Sequence, residues 1–393
     1  MDIKLADRVQ RVKPSPTLAV TARAAELRAA GKDIIGLGAG EPDFDTPEHI
    51  KQAAIEAIQQ GKTKYTPVDG TPELKKAVQA KFSKENGLDY ELNQILVSAG
   101  AKHSIYNLMC ALLNAGDEVV IPAPYWVSYP DMAKLADGVP VVIEAGQDQH
   151  YKITPEQLDA AMTEKTKLVI LNSPSNPTGV AYSKAELQAL GKVLAAYPQA
   201  VIMTDDIYEH IVWNDEGFVN IVNACPELKD RTVVVNGVSK GYSMTGWRIG
   251  YAAGPVSVIG AMKKIQSQST SNPTSIAQAA ATAALTGDQG CIPPMLKAFK
   301  ERHDFVVNAL NDMPGIECLP GDGTFYCFPK VKGAIKQLGL KDDVALAEHL
   351  INEAGVALVP GSAFGLDGYA RISFATSMEN LERAMERIAK ALG

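Results

Sequence analysis

Residues 94–124 read QILVSAGAKHSIYNLMCALLNAGDEVVIPAP: an apolar run, a stretch with apolar residues three and four apart, then a second apolar run. Two short apolar runs joined by an amphipathic helix describe a parallel crossover, with both strands buried and the helix lying over the sheet. The rhythm spreads outward from there. Downstream come a helix from Tyr129, the strand VPVVIEA (139–145), KLVILNSPSNPTG (167–179), the helix KAELQALGKVLAAYP (184–198), AVIMTDDIY (200–208), TVVVNGVS (232–239) and WRIGYAAG (247–254). The last two lack an intervening helix, which admits an antiparallel pair. Upstream, EHIKQAAIEAIQQ (48–60) and PELKKAVQAKF (72–82) are helical, with GKTKYTPVDG (61–70) as the loop between them.

Beyond an alanine-rich helix near Ile276 to Leu285 the texture changes. A long charged helix (MLKAFKERHDFVVNALNDM, 295–313) precedes short strands (TFYCFP, VALVPG, ARISFAT) and a closing helix (ENLERAMERIAKAL, 379–392). The expected fold is α/β, a doubly wound, mostly parallel sheet with a smaller α+β domain. A chain of 393 residues exceeds what one core usually serves. The large domain is expected over residues 49–285 and the small one over residues 1–48 plus 286–393.

A formal net charge of -7 argues against the basic face that nucleic acid requires. The five cysteines are scattered, odd in number and never in a CxxC pair, so they read as reduced packing residues. The opening MDIKLADRVQRVKPSP puts charges where a signal peptide needs an apolar stretch, and no run approaches the roughly 18 apolar residues of a membrane span. A cytoplasmic enzyme with no membrane partner is expected.

In doubly wound sheets, ligands gather outside the carboxyl ends of the strands, and four such places carry polar residues. QILVSAGAKHS turns at Gly100, Ala101 and Lys102 into a helix whose free N–H groups suit a phosphate, although a plain strand-to-helix turn explains it equally. LNSPSNPTG holds Asn176 between Pro174 and Pro177, where loop punctuation is the simpler account. AVIMTDDIYEH puts Asp205 and Asp206 at a strand end with Tyr208 just beyond; such a carboxylate pairs with a protonated pyridine nitrogen, or caps a helix. VVVNGVSKGYSMTGWRIG sets Lys240 in a Gly- and Ser-rich bend, with Arg248 eight residues on in the next strand. A partly desolvated lysine flanked by positive charge stays unprotonated part of the time, as Schiff-base chemistry needs, and an arginine fork clamps phosphate. A surface lysine remains the ordinary alternative.

Two nucleotide motifs fail. The glycines of GLGAGEP fall at 36, 38 and 40, which is not GxGxxG, and GKT at 61–63 lacks the P-loop glycine because position 56 is Glu56. The six histidines show no HExxH or other ligand spacing, so no metal is expected.

Together these residues resemble the class I, fold-type I aminotransferases that depend on pyridoxal 5'-phosphate. The likeness covers essentially the whole chain. AGEPDFDTP, TKYTPVDG, SAGAKH, PAPYWVSYP, SPSNPTG, TDDIYEH, SKGYSMTGWRIGYAAGP and ARISFATS follow the family's order and spacing. The resemblance implies Lys240 as the residue that carries the cofactor and shuttles the proton, and Asp205 on the pyridine nitrogen. It implies Tyr208 and Asn176 on the ring hydroxyl, and Trp126 stacked on the ring. Gly100, Ala101, Lys102, Ser239 and Arg248 would surround the phosphate, with Tyr65 entering from a second subunit and hence a homodimer. Arg371, helped by Asn176 and the backbone at Gly40, would fork the α-carboxylate of the substrate. Some members carry a serine three residues before the lysine; here Gly237 stands there, leaving Ser239 as the substitute.

VKPSPTLAVTARA and the GAK of Lys102 are similar to a subgroup of aspartate aminotransferases that includes enzymes also accepting prephenate. Lys102, Lys13, Ser15 and Thr17 are the candidates for a second substrate carboxylate, with Lys102 open to either the phosphate or that carboxylate. The expected activity is ping-pong transfer from aspartate to 2-oxoglutarate, with prephenate as a further acceptor. The rivals are an aminotransferase for alanine or aromatic substrates, a lyase of the same fold, and a ligand-sensing regulator. The last would need a DNA-binding module, whereas the enzyme-like pattern begins within the first fifteen residues and the chain is acidic.

Overall fold

The computed structural model describes residues 3–393. Among these, twelve strands form three sheets. They are β1 (Ile35–Gly36), β2 (Ile95–Ser98), β3 (Glu118–Ala123), β4 (Val139–Glu144), β5 (Thr166–Asn172), β6 (Val201–Asp205), β7 (Thr232–Gly237), β8 (Gly250–Ala253), β9 (Tyr326–Cys327), β10 (Val356–Ala357), β11 (Val359–Pro360) and β12 (Ala370–Ser373). The main sheet runs β2-β8-β7-β6-β5-β3-β4. Its β4-β3-β5-β6-β7 ladders are parallel, while β8 is antiparallel to both β7 and β2. The reversal has a local cause: the chain turns from β7 into β8 without the helix a parallel return requires.

Alternate residues of each strand face opposite layers. Val120, Val169, Leu171 and Val234 point into one core; Val119, Ile121, Leu168, Ile170, Val233 and Val235 into the other. Both faces are therefore dry, which is why these strands read as unbroken apolar runs. A third core gathers Phe299, Val306 and Leu310 of the Ile292–Asn311 helix with Leu381, Met385 and Ile388 of the Met378–Leu392 helix. It takes in residues of β9 and β12, which with β11 form an antiparallel sheet in the order β11-β12-β9, while β1 pairs parallel with β10.

Helix limits follow local chemistry. Thr71 caps the Pro72–Asn86 helix through the Leu74 N–H, Pro72 opens it, and Gly87 closes it with a left-handed backbone at φ 62°. Among the described residues the cysteines are free and no helix is long and apolar enough to cross a membrane. Arg248 departs from the sequence reading. It is not in a strand but precedes β8, with φ 56° at the end of a short 3-10 turn, Thr245–Trp247.

Candidate active site

β2, β3, β5, β6 and β7 all point the same way, so the loops leaving them share one edge of the sheet. Because β8 is reversed, its amino end meets that edge too and delivers Arg248. A cavity of about 350 Å³ opens there. Its wall includes Gly40, Ala101, Lys102, Trp126, Asn176, Asp205, Tyr208, Ser239, Lys240, Arg248 and Arg371, together with Ser15 and Thr17 from the N-terminal segment.

Lys240 donates from Nζ to the Gly40 carbonyl at 2.5 Å. Burial pushes its amine down to about 8, and Arg371 and Arg248 add repulsion against the pull of Glu41 and Asp205. Asp205 is buried at the end of β6, and burial pushes its carboxyl up to about 6. Three neighbours hold it there: the Tyr129 hydroxyl donates to Oδ2 at 2.7 Å, the Ile207 N–H to Oδ1 at 3.4 Å, and Lys240 lends its charge. No helix follows Asp205, so its alternative use as a helix cap fails. Asp206 turns the other way and bonds Thr204 and Asn220.

Arg371 carries the plainest demand for a ligand. It is 2% exposed, yet among the described residues no carboxylate pairs with it. Its Nη1 donates to Asn176 Oδ1 at 3.0 Å and Nη2 to the Gly38 carbonyl at 2.8 Å, while Nε has no partner. The guanidinium is sandwiched 4.4 Å from the Tyr326 ring centre and 4.9 Å from that of Phe364. A buried, unneutralised cation costs several kcal/mol, so this arrangement calls for an anion in the cavity. The Gly40 carbonyl is taken by Lys240, leaving the Gly40 N–H as the group able to meet a carboxylate.

Across the cavity the Ala101–Leu112 helix begins with its first N–H groups unspent. Gly100 enters this turn at φ 92°, and a Cβ there would lie 2.3 Å from Arg248 Nη2. Arg248 donates from Nη1 to the Thr245 carbonyl at 2.8 Å. Gly250 lets β8 approach: a Cβ on it would fall 2.1 Å from the Ala101 nitrogen. Helix N-terminus, Arg248 and Ser239 make an anion cradle. Lys102 stands over the Trp126 ring at 4.8 Å, its amine lowered by burial and by Arg248.

Three sequence candidates are not on this wall. Gly100 lies just behind it, shaping the turn. Lys13 is exposed and lines no part of the cavity. Tyr65 is 93% exposed and away from its own chain's cavity. Three residues with clear contacts escaped sequence reasoning. Tyr129 falls within PAPYWVSYP, where the resemblance singles out only Trp126. Tyr326 comes from β9, with its hydroxyl 3.2 Å from that of Tyr208. Asn172, the last residue of an apolar strand, was findable: its Oδ1 accepts from the Asn176 N–H at 2.9 Å and its amide donates to the Asp205 carbonyl at 2.8 Å.

The reading that the histidines join no ligand cluster needs correction, since folding brings Glu85, Glu209 and His210 within ligand reach of one another. The place is already served: Lys81 pairs with both carboxylates, and Asn86 and Asn236 donate to Glu209 at 2.9 and 2.8 Å.

Comparison with known proteins agrees with this geometry. The family model described as aminotransferase class I and II matches residues 32–388. The chain is 59% identical to the aspartate/prephenate aminotransferase of Nitrosomonas europaea, over 99% of this chain and 100% of that one. It is 52% identical to the aspartate aminotransferase of Geobacillus stearothermophilus, over 98% of each. The solved aspartate aminotransferase of Rhizobium meliloti superposes with a TM-score of 0.96 at 49% identity, covering 100% of this chain and 99% of that one. That of Thermus thermophilus with maleate gives 0.94 at 42%, covering 99% and 100%. With its doubly wound sheet, its lysine and aspartate at neighbouring strand ends and its buried arginine opposite, the chain belongs to the class I and II aminotransferase family.

Proposed function

We propose that this enzyme holds pyridoxal 5'-phosphate at Lys240 and moves an amino group from aspartate to 2-oxoglutarate by a ping-pong cycle, with prephenate as a further acceptor. The buried guanidinium of Arg371 facing Lys240, which no carboxylate neutralises among the described residues, carries the reading, because an amino acid offers the carboxylate that one needs beside the amine that the other exchanges. The residues suit the cofactor: the Gly100–Lys102 turn, Ser239 and Arg248 match a phosphate, and a buried carboxylate at Asp205 matches a pyridinium. Once bound, the group would act as an electron sink for the carbanion left when Cα loses its proton.

The chain's own residues then divide the work. Asp205 would hold the ring proton, and the Tyr129 hydroxyl favours the ionised form of that carboxylate. Asn176 and Tyr208 would donate to the ring hydroxyl, and Trp126 would cover the ring face. Arg371 with Asn176 orients the substrate so that its Cα proton lies within reach of the Lys240 amine, whose value near 8 suits an acid and base working near neutrality.

Dicarboxylate preference is supported by the names of the relatives and by Lys102, Ser15 and Thr17 at the mouth. A homodimer in which Tyr65 completes the partner's phosphate site is supported by that residue's exposure. The separate cores support two domains, residues 49–285 and residues 1–48 plus 286–393, in a cytoplasmic enzyme. Half-reactions with aspartate, glutamate, alanine and phenylalanine test the proposal: the two dicarboxylates should bleach the cofactor's absorbance fastest, and failure of both would reject it.

A further inference from the structure

Gln266 lies in the Val256–Ser269 helix with no exposed surface, is not part of the cavity wall, and uses all four of its hydrogen-bonding capacities. Its Oε1 accepts from Ser98 Oγ at 2.8 Å and Asn107 Nδ2 at 3.0 Å; its Nε2 donates to the carbonyls of Val68 at 2.7 Å and Val97 at 2.8 Å. These partners belong to two different structures. Val97, Ser98 and Asn107 flank the Gly100–Lys102 turn, on β2 before it and on the helix after it. Val68 belongs to the loop that carries Tyr65.

That loop is held from inside at several points. The Val97 N–H donates to the Asp69 carbonyl at 3.1 Å, and the Asp69 carboxylate pairs with Lys75 at 2.6 Å and with Lys263, one turn from Gln266, at 2.9 Å. Gln278, also fully buried, accepts from the Thr71 N–H at 2.7 Å and donates to Thr66 Oγ1 at 3.0 Å. Gly70, at φ 104°, allows Val97 to press against the loop, since a Cβ would lie 2.6 Å from its Cγ2. Amid this clamping one large side chain, Tyr65, stands 93% exposed. A rigid loop presenting one bare aromatic is arranged for something outside its own chain. Buried polar networks of this kind specify geometry because each broken bond leaves a desolvated group without a partner.

We propose that Gln266 is a positioning residue that fixes two things at once, the phosphate turn of its own site and the loop that delivers Tyr65 to the partner subunit's site, so that one amide links the two cofactor sites of the dimer. This rests on the cofactor and homodimer readings above. Gln266→Met removes all four bonds; Gln266→Glu keeps the shape and the acceptor side but loses the donations to Val68 and Val97, and carries the test if the first variant does not fold.

The experiment measures the dissociation constant of pyridoxal 5'-phosphate by absorbance titration of the full-length dimer, and hydrogen exchange at residues 64–70 and 99–104. Each variant should bind the cofactor at least tenfold more weakly and exchange faster in both segments. In a Tyr65→Phe background the Gln266 substitution should weaken binding by less than it does alone, because part of its effect runs through Tyr65. Unchanged cofactor affinity, faster exchange confined to one segment, or full additivity with Tyr65→Phe would each overturn the proposal. A wild-type chain that takes up no pyridoxal 5'-phosphate would instead overturn the functional reading, and one that binds it as a monomer would remove the link between sites.

Discussion

Tyr129→Phe deletes one hydroxyl from the cavity wall and leaves the ring in place. That hydroxyl donates to Asp205 Oδ2 at 2.7 Å between two buried groups. A hydrogen bond to an ionised group contributes about 1.5–3 kcal/mol, and about 1.36 kcal/mol corresponds to one pKa unit. The bond favours the charged carboxylate, so its loss should raise Asp205 from about 6 by about one to two units. The carboxylate would then be largely protonated at neutral pH and unable to hold a pyridinium.

Stability carries the same signature. Folding raises Asp205 from 3.8 to about 6, so its contribution is intact below pH 4 and lost as pH climbs through 6, a penalty of about 3 kcal/mol for two units. Removing the hydroxyl enlarges that penalty only where the carboxylate is ionised. The gap in Tm between wild type and variant, both free of cofactor, should widen as pH rises. Carboxyl carbon shifts of Asp205 followed by NMR from pH 4 to 9 give the direct measurement. An Asp205 titration unmoved by the substitution would refute the reasoning, as would a Tm gap independent of pH.

Further outcomes are expected elsewhere in the site. Arg371→Lys loses a forked, charge-assisted contact worth about 2–3 kcal/mol, so KM for aspartate should rise about 30- to 150-fold with kcat far less affected; an unchanged KM counts against the assignment. Lys240→Ala should lower transamination at least about 100-fold and abolish the borohydride-fixed link to cofactor, and a variant that still forms that link sinks the role of Lys240. Because the Lys240 amine is lowered to about 8, uptake of pyridoxal 5'-phosphate by cofactor-free protein should accelerate as pH rises through 8, a dependence stopped-flow absorbance would expose or exclude. Gly250→Ala forces β8 away from the Ala101 nitrogen and should destabilise by about 1–3 kcal/mol while weakening cofactor binding; equal Tm and affinity would contradict the close approach.

Much of this was legible in the chain. The alternation of apolar runs and helices from Ile95 to Asp205 announces the parallel sheet because both signals are local, period two or continuous burial for strands and period 3.6 for helices. Strand ends could be inspected for the same reason, and Asp205, Asn176 and Lys240 were found there. Distances between them could not be read. Nothing local distinguishes Asp205 from Asp206, which differ only in which way the strand's alternation turns them. Tyr129 carries no mark of its contact with a carboxylate 76 positions away, nor His210 of its contact with Glu85, 125 positions away.

The sequence by itself determined the kind of sheet, the alternation of strands and helices along the chain and the inventory of polar residues at its edge, since these depend on neighbours a few positions apart. Only the tertiary structure decided that Arg248 sits ahead of β8 rather than in it and so reaches that edge, that Tyr326 arrives from a different core, and that Arg371 is buried with no counterion among the described residues. Those outcomes depend on which distant segments pack together, with contacts spanning 195 positions between Arg371 and Asn176, and burial by remote chain is what shifts the proton affinities of Lys240 and Asp205 and leaves the Arg371 cation seeking an anion.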